Sequence, residues 1–368
     1  MPPLSFARCL FALVVTAPLF AAEVSAPLAV SPAEPPVVSS AEPPAADQPQ
    51  HLQFGSFTIY SENDDYFAGT DQYYTAGTKL SLLSAPLRDF LADPVPPPVQ
   101  WIARGLNPLV PAGTDCKLGL SLGQNIYTPV NIHTPTPDPT DRPYAAWLYV
   151  GVLFQSYNLA GLNADASRWL DAFEVNAGMV GPAALGEEMQ NGVHRLLGYE
   201  HALGWSHQIH NEPGLDLDYE RKWRFQTTGA RTGLGAQLIP HLGACLGNVF
   251  TYANAGLEAR AGWKLPSDFG TDLIHPSGDT NSARPDGSVF LFGSVEGQAV
   301  ARDITLQGNI FEDSPSVPMN NFVADLSAGL GLGSRHWQLT YTQDVRTREF
   351  TGQLKPDNFG SISVTFYY

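Results

Sequence analysis

Cysteine, methionine and positive charge are all scarce in this chain of 368 residues: three Cys, four Met, and 20 Lys and Arg against 36 Asp and Glu. Cys9 lies in an N-terminal apolar run. Cys116 and Cys245 fall in separate segments of strand pattern with nothing to make them neighbours, so no disulfide is expected. A net charge of −16 argues against nucleic acid as a partner and makes unaided capture of an anionic substrate unfavourable. No run of 18 apolar residues occurs after residue 50, which excludes a membrane protein built of helices. Helical periodicity is itself rare. Gly, Tyr, Trp and Phe are abundant instead, the balance of a β-rich protein with aromatic girdles.

The N-terminus, MPPLSFARCLFALVVTAPLFAA, carries one positive charge at Arg8, an apolar run from Leu10 to Val15 and small residues at Ala21 and Ala22. That pattern predicts a signal peptide over residues 1–22, too short to span a membrane, and therefore export. Residues 23–50 are rich in Pro, Ala, Ser and Val without periodicity and read as a disordered linker. Residues 51–368 are then enough for one large domain.

From Leu52 onward, segments alternate apolar and polar side chains and are separated by Gly, Pro, Asn and Asp. From Thr251 to Lys264, Ala253, Ala255, Leu257, Ala259, Ala261 and Trp263 share one face, while Asn254, Glu258, Arg260 and Lys264 share the other. A soluble sandwich also alternates. Glu, Arg and Lys together on one face of a single strand fit a wet barrel lumen better. At the end of the chain, Ile362, Val364, Phe366 and Tyr368 alternate with small polar residues, as outer-membrane barrels commonly finish.

Strands are predicted at 52–61, 73–84, 116–125, 146–156, 168–178, 215–228, 231–245, 251–264, 288–300, 322–332, 335–345 and 360–368. Twelve is even, as a single-chain bacterial barrel requires. The fold class expected is an all-β, transmembrane, twelve-stranded antiparallel β-barrel with Ala253, Leu257, Ala261, Ile362, Val364 and Phe366 facing lipid. With both ends of the chain in the periplasm, connections after odd-numbered strands face outward. The long inner connection 85–115 carries amphipathic pieces near Leu87 to Leu91 and near Trp101.

Two outer connections hold the chemistry. GPAALGEEMQNGVHRLLGYEHALGWSHQ, Gly181 to Gln208, leaves the two-residue rhythm and reads as a short helix, with Pro182 in its first turn and Gly198 as its stop. Gln190 and His194, four apart, lie on one face of that helix, and Glu200 follows the break. A single helical histidine is often surface decoration or a cap, so the segment alone decides nothing. In SENDDYFAGTDQYYTAG, Asn63, Asp64 and Asp65 stand together with Asp71 close behind, an oxygen-rich cluster that suits Ca²⁺ or an ordinary polar turn. Thr75 starts the next strand on the face of Gly77 and Lys79, which is expected to point into the lumen.

NDDYF, YYTAG, QNIYTP, DRPYAAWLY, GPAALGEEMQNGVHRLLG and the following Glu200 resemble, in order, the outer-membrane lipid A 3-O-deacylase family (LpxR-like). The resemblance runs from about Leu52 to Tyr368. It implies a Ca²⁺-dependent barrel that removes the 3-linked acyloxyacyl chain of lipid A from lipopolysaccharide in the outer leaflet. By the same resemblance His194 is the essential histidine, with Asn63, Asp64, Thr75, Gln190 and Glu200 completing the site. Some members carry a lysine in the loop after the third strand. Here that loop reads TPVNIHTPTPDP, and Arg142 or Lys79 would have to hold the substrate headgroup instead.

The residues themselves agree with hydrolysis. No G-x-S-x-G occurs, so His194 is expected to act as general base on water, with Ca²⁺ at Asp64 and Glu200 polarising the ester carbonyl. Gln190 would orient the water or the ring. The cofactor expected is Ca²⁺, the partners are lipid A and the outer membrane, and the protein is expected to work as a monomer. The alternatives are a porin without activity and an outer-membrane phospholipase with a Ser–His pair.

Overall fold

A computed structural model describes residues 52–66, 72–87, 90–91, 95–110, 114–158, 168–271, 273–274 and 287–368. In it the alternation of side chains organises the chain into twelve strands. They are β1 (Phe54–Asn63), β2 (Tyr73–Ser84), β3 (Asp115–Thr128), β4 (Ala145–Asn158), β5 (Arg168–Val180), β6 (Glu212–Gln226), β7 (Leu234–Gly247), β8 (Phe250–Trp263), β9 (Ser288–Asp303), β10 (Phe322–Gly333), β11 (Trp337–Arg346) and β12 (Asp357–Tyr367). Each pairs antiparallel with its sequence neighbours. β1 then pairs with β12, from Ser56↔Tyr367 to Asn63↔Gly360, and closes the barrel. The predicted signal peptide, linker and Asp71 lie outside the described residues.

Alternation is kept almost everywhere. On β8, Ala253, Leu257 and Ala261 are exposed on the outer wall, while Asn254, Glu258 and Arg260 are buried in the lumen. Val364 and Phe366 of β12 also face outward. Ile362 shares their face but is covered, lying between Tyr341 of β11 and Ser61 of β1 in the register. Cys116 and Cys245 are buried and unbridged. Strand ends move slightly from the sequence-based limits, and two of those shifts matter, since β1 continues to Asn63 and β3 to Thr128.

Helix α1 (Pro97–Leu106) lies in the inner connection, around Trp101 as expected, and buries Ala103 in a cluster with Phe90, Val95, Cys116, Leu118 and Phe154. The segment after β8 turns into the lumen. There Asp268 accepts from Arg260 of β8 at 2.5 Å and from Gln338 of β11 at 3.3 Å, and its carbonyl accepts from Arg224 of β6. Glu258 also accepts from Arg260. Arg260 thus neutralises two buried carboxylates. Truncating it leaves both uncompensated, which costs about 3–5 kcal/mol in comparable buried pairs. Arg260→Ala is therefore expected to lower the temperature at which the compact band on an unboiled gel converts to the unfolded one. An unchanged transition would refute that role.

Candidate functional site

The predicted helical segment divides in two. Pro182 heads a short 3-10 turn (Pro182–Ala184) rather than the first turn of the helix. Leu185 then takes a left-handed conformation at φ 59°, and α2 (Gly186–Leu197) begins after it. Gly198, at φ 79°, stops α2 as expected, because glycine enters the left-handed region without a Cβ penalty.

The faces of α2 are inverted relative to an ordinary surface helix. Gly186, Gln190, Asn191 and His194 are buried, while Leu185 just before it and Met189, Val193 and Leu196 form an exposed apolar stripe. The buried face covers the outer wall of the barrel, since Gln124 and Ile126 continue the outward series of the exposed Leu120 and Leu122 on β3. Gln124 Nε2 donates to the Ala184 carbonyl at 2.6 Å. Ile126 joins Ile132, Tyr144, Ala146, Ala184, Ala202 and Trp205 in one buried cluster beneath the loop.

Polar bonds hold α2 in register with the chain that follows. Gln190 Oε1 accepts from Trp205 Nε1 at 2.8 Å, and the Trp205 ring meets Tyr144 at 4.9 Å. Asn191 clasps Ala202 twice, accepting from its N–H at 2.8 Å and donating to its carbonyl at 3.2 Å. Gln190 therefore anchors the helix through an indole, and Asn191 through the main chain of Ala202.

His194 has a defined orientation. Its Nδ1 lies 2.5 Å from the Glu200 carbonyl, and its ring meets Tyr199 edge-on at 5.9 Å. A carbonyl only accepts, so Nδ1 carries a proton, and in the neutral ring Nε2 holds the lone pair. Glu200 makes this contact with its main chain. Its carboxylate is 84% exposed and lies 3.4 Å from His133 Nδ1.

Tyr199 also bridges to the first loop, donating its hydroxyl to Asp65 at 3.2 Å. Next to Asp65, the Asp64 carboxylate is buried and accepts the Gln72 N–H, and the Asp64 N–H donates to the Thr75 carbonyl at 3.3 Å. Asn63 Oδ1 accepts the Asp65 N–H at 2.8 Å, a tight turn that fixes where Asp64 points. Thr75 does not point into the lumen as its spacing from Gly77 and Lys79 predicted. The register shifts between Tyr74 and Ala76, and this bulge turns Thr75 to the outer wall, where its hydroxyl meets that of Thr128 at 2.6 Å.

Neither candidate for holding the headgroup is available in that role. Lys79 is buried and paired with Glu174 at 3.0 Å. Arg142 is buried over the Tyr127 ring, 3.1 Å from both Glu349 and Thr305. Among the described residues, the groups of three or more His, Cys, Asp or Glu with ligand atoms close enough to share an ion include none of Asp64, His194 and Glu200.

Sequence reasoning missed Tyr199, Trp205, Asn191 and Thr128, whose roles depend on partners distant in the chain. A signal for the inversion was present, because Gln190, Asn191 and His194 share a polar stripe opposite Met189, Val193 and Leu196.

A closed, even-numbered antiparallel barrel with an apolar outer belt and a polar interior is the architecture of a bacterial outer-membrane protein. The chain belongs to the LpxR family: the family model described as "Outer membrane protein LpxR" matches residues 18–368. The structure is similar to that of LpxR from Salmonella typhimurium, with a TM-score of 0.66 at 22% identity over 85% of this chain and 100% of that one. It is more distantly similar to the transport unit of the autotransporter AIDA-I from Escherichia coli, with a TM-score of 0.36 at 11% identity over 88% and 92% of the two chains. No curated protein matches in sequence.

Proposed function

We propose that the protein hydrolyses the 3-linked acyloxyacyl ester of lipid A at the outer wall of the barrel, with His194 as general base. Family membership supports an outer-membrane lipid A deacylase. The observation that carries the finer reading is the inverted polarity of α2. An apolar stripe faces outward where acyl chains lie, and the histidine is on the buried face, turned toward the barrel wall.

His194 Nε2 takes a proton from water as the oxygen attacks the ester carbonyl. The tetrahedral intermediate collapses with cleavage of the bond to the sugar oxygen. The imidazolium returns the proton to that oxygen, leaving a 3-hydroxyl on the glycolipid and a free acyloxyacyl acid. Asn63 holds the turn that presents Asp64. Thr75 lines the wall with Thr128, and Gln190 keeps His194 aimed through Trp205.

The donors near Asp64 are oxygens, which fits a hard cation better than a soft one. Asp64 would be the principal ligand, and the exposed Glu200 carboxylate would join it by leaving His133. Bound Ca²⁺ would supply electrostatic stabilisation of the developing oxyanion and offset the negative charge of protein and substrate.

A porin is the weaker reading, since Asp268 ties β6, β8 and β11 together across the lumen. Mass spectrometry of lipid A from cells with and without the protein tests the proposal. Loss of one ester-linked acyloxyacyl unit is the expected result, and unchanged lipid A from cells carrying folded protein would overturn it.

A further inference from the structure

The lumen contains a second set of ligating side chains, unused by the reaction at the outer wall. Glu220 of β6, His241 of β7 and Glu296 of β9 each offer one ligand atom, and the three atoms lie within 4.8 Å of one another. His241 Nε2 is 2.8 Å from Glu296 Oε2, although β8 runs between their strands.

The register explains how they meet. His241 is opposite Gly256, and Gly256 is opposite Glu296. A Cβ at residue 256 would lie 2.5 Å from His241 Nε2. The missing side chain therefore forms the cradle through which the imidazole reaches across β8. Gln298 Nε2 donates to the other Glu296 oxygen at 2.8 Å, which turns Oε2 toward the histidine.

Charge balance points to a cation. A cavity of about 60 Å³ is lined by four carboxylates, enough room for a few waters. Three of them have basic partners, two of which are shared with a further carboxylate: Glu220 with Lys222 at 3.2 Å, Glu258 with Arg260, which also pairs with Asp268, and Asp325 with Arg346 at 2.8 Å, which also lies 3.6 Å from Glu349. The fourth, Glu296, has His241 as its ion-pair partner, so the carboxylates outnumber the Lys and Arg cations that serve them.

We propose that Glu220, His241 and Glu296 form a lumenal site for a divalent transition metal of the Zn²⁺ class. Its fourth position would be open to water from the cavity. One imidazole and two carboxylates match the nitrogen and oxygen ligands of Zn²⁺, whereas Ca²⁺ takes six to eight oxygens. Bond lengths of about 2.0–2.2 Å require the three side chains to close in, with Glu220 turning from Lys222 toward the ion. The metal would brace β6 and β7 to β9 across the gap at Gly256.

The test uses the full-length purified barrel in detergent, stripped with chelator, dialysed against ZnCl₂ and assayed for bound zinc. One Zn²⁺ per chain is expected in the parent and in His194→Ala. His241→Ala and Glu296→Gln should lose it, and Gly256→Val should lose it by filling the cradle. The compact band on an unboiled gel reports folding of each variant. Titration of the parent protein with Co²⁺ is a readout that needs no variant and should develop the visible absorption of a four-coordinate site. Absence of stoichiometric zinc and of that absorption would leave an ion pair only. Zinc retained in full by folded His241→Ala would place the metal elsewhere, and either result overturns the proposal.

Discussion

His194→Ala is expected to lower hydrolysis of lipid A by roughly 10² to 10⁴, the usual contribution of a general base. Folding should survive, because the hydrogen-bonded ladder closes without α2, which lies on the outer wall. The comparison that decides is activity per folded barrel against His207→Ala. His207 is exposed and shares the same outer connection, with its Nδ1 3.1 Å from the Ser206 hydroxyl. That neighbouring pair is also the nearest thing in this loop to a serine hydrolase. If Ser206→Ala and His207→Ala retain activity while His194→Ala does not, a serine nucleophile beside His207 is excluded as well. Small, equal losses in all three variants would end the claim for His194.

Removal of Ca²⁺ is expected to have an effect as large. Excess chelator should abolish hydrolysis and added Ca²⁺ should restore it. Mg²⁺ should rescue poorly, since it is smaller, keeps its waters and demands a stricter octahedron. Asp64→Ala should not be rescued by Ca²⁺. Glu200→Ala keeps the main-chain carbonyl that orients His194 and removes an exposed carboxylate, so it should raise the Ca²⁺ concentration required without abolishing turnover. Full activity in excess chelator would remove the metal from the mechanism.

The barrel was legible because a strand buried on one face and lipid-exposed on the other must alternate, and period-two patterning survives in each segment. The segment from Thr251 to Trp263 shows it without interruption. The helix was legible for a similar reason, with Gly198 marking its end. Alternation misplaces a side chain where one residue changes the phase. The bulge at Tyr74 and Ala76 reversed Thr75, and alternation carried through from Lys79 cannot register an inserted residue. Pro182 was assigned to the helix by its chemistry. The left-handed Leu185 separated it, a conformation that residue type does not announce.

By itself the sequence determined that the chain is a twelve-stranded barrel and which side chains share a face along an unbroken strand, and it placed Asn63 and Asp64 at the end of the first strand and Gln190, His194 and Glu200 in the connection after the fifth. Those features depend on local periodicity and composition. Tertiary structure decided the rest: that α2 lies against the outer wall with its polar face inward, that Glu200 meets His194 through its carbonyl, and that Lys79 and Arg142 are committed to buried ion pairs. It also decided that His241 and Glu296 meet over Gly256, two strands apart. Most of these contacts are made between residues distant in sequence, and the His194–Glu200 contact crosses the turn at Gly198. Their partners are selected by register, bulges and loop packing, and none of those leaves a periodic trace in the chain.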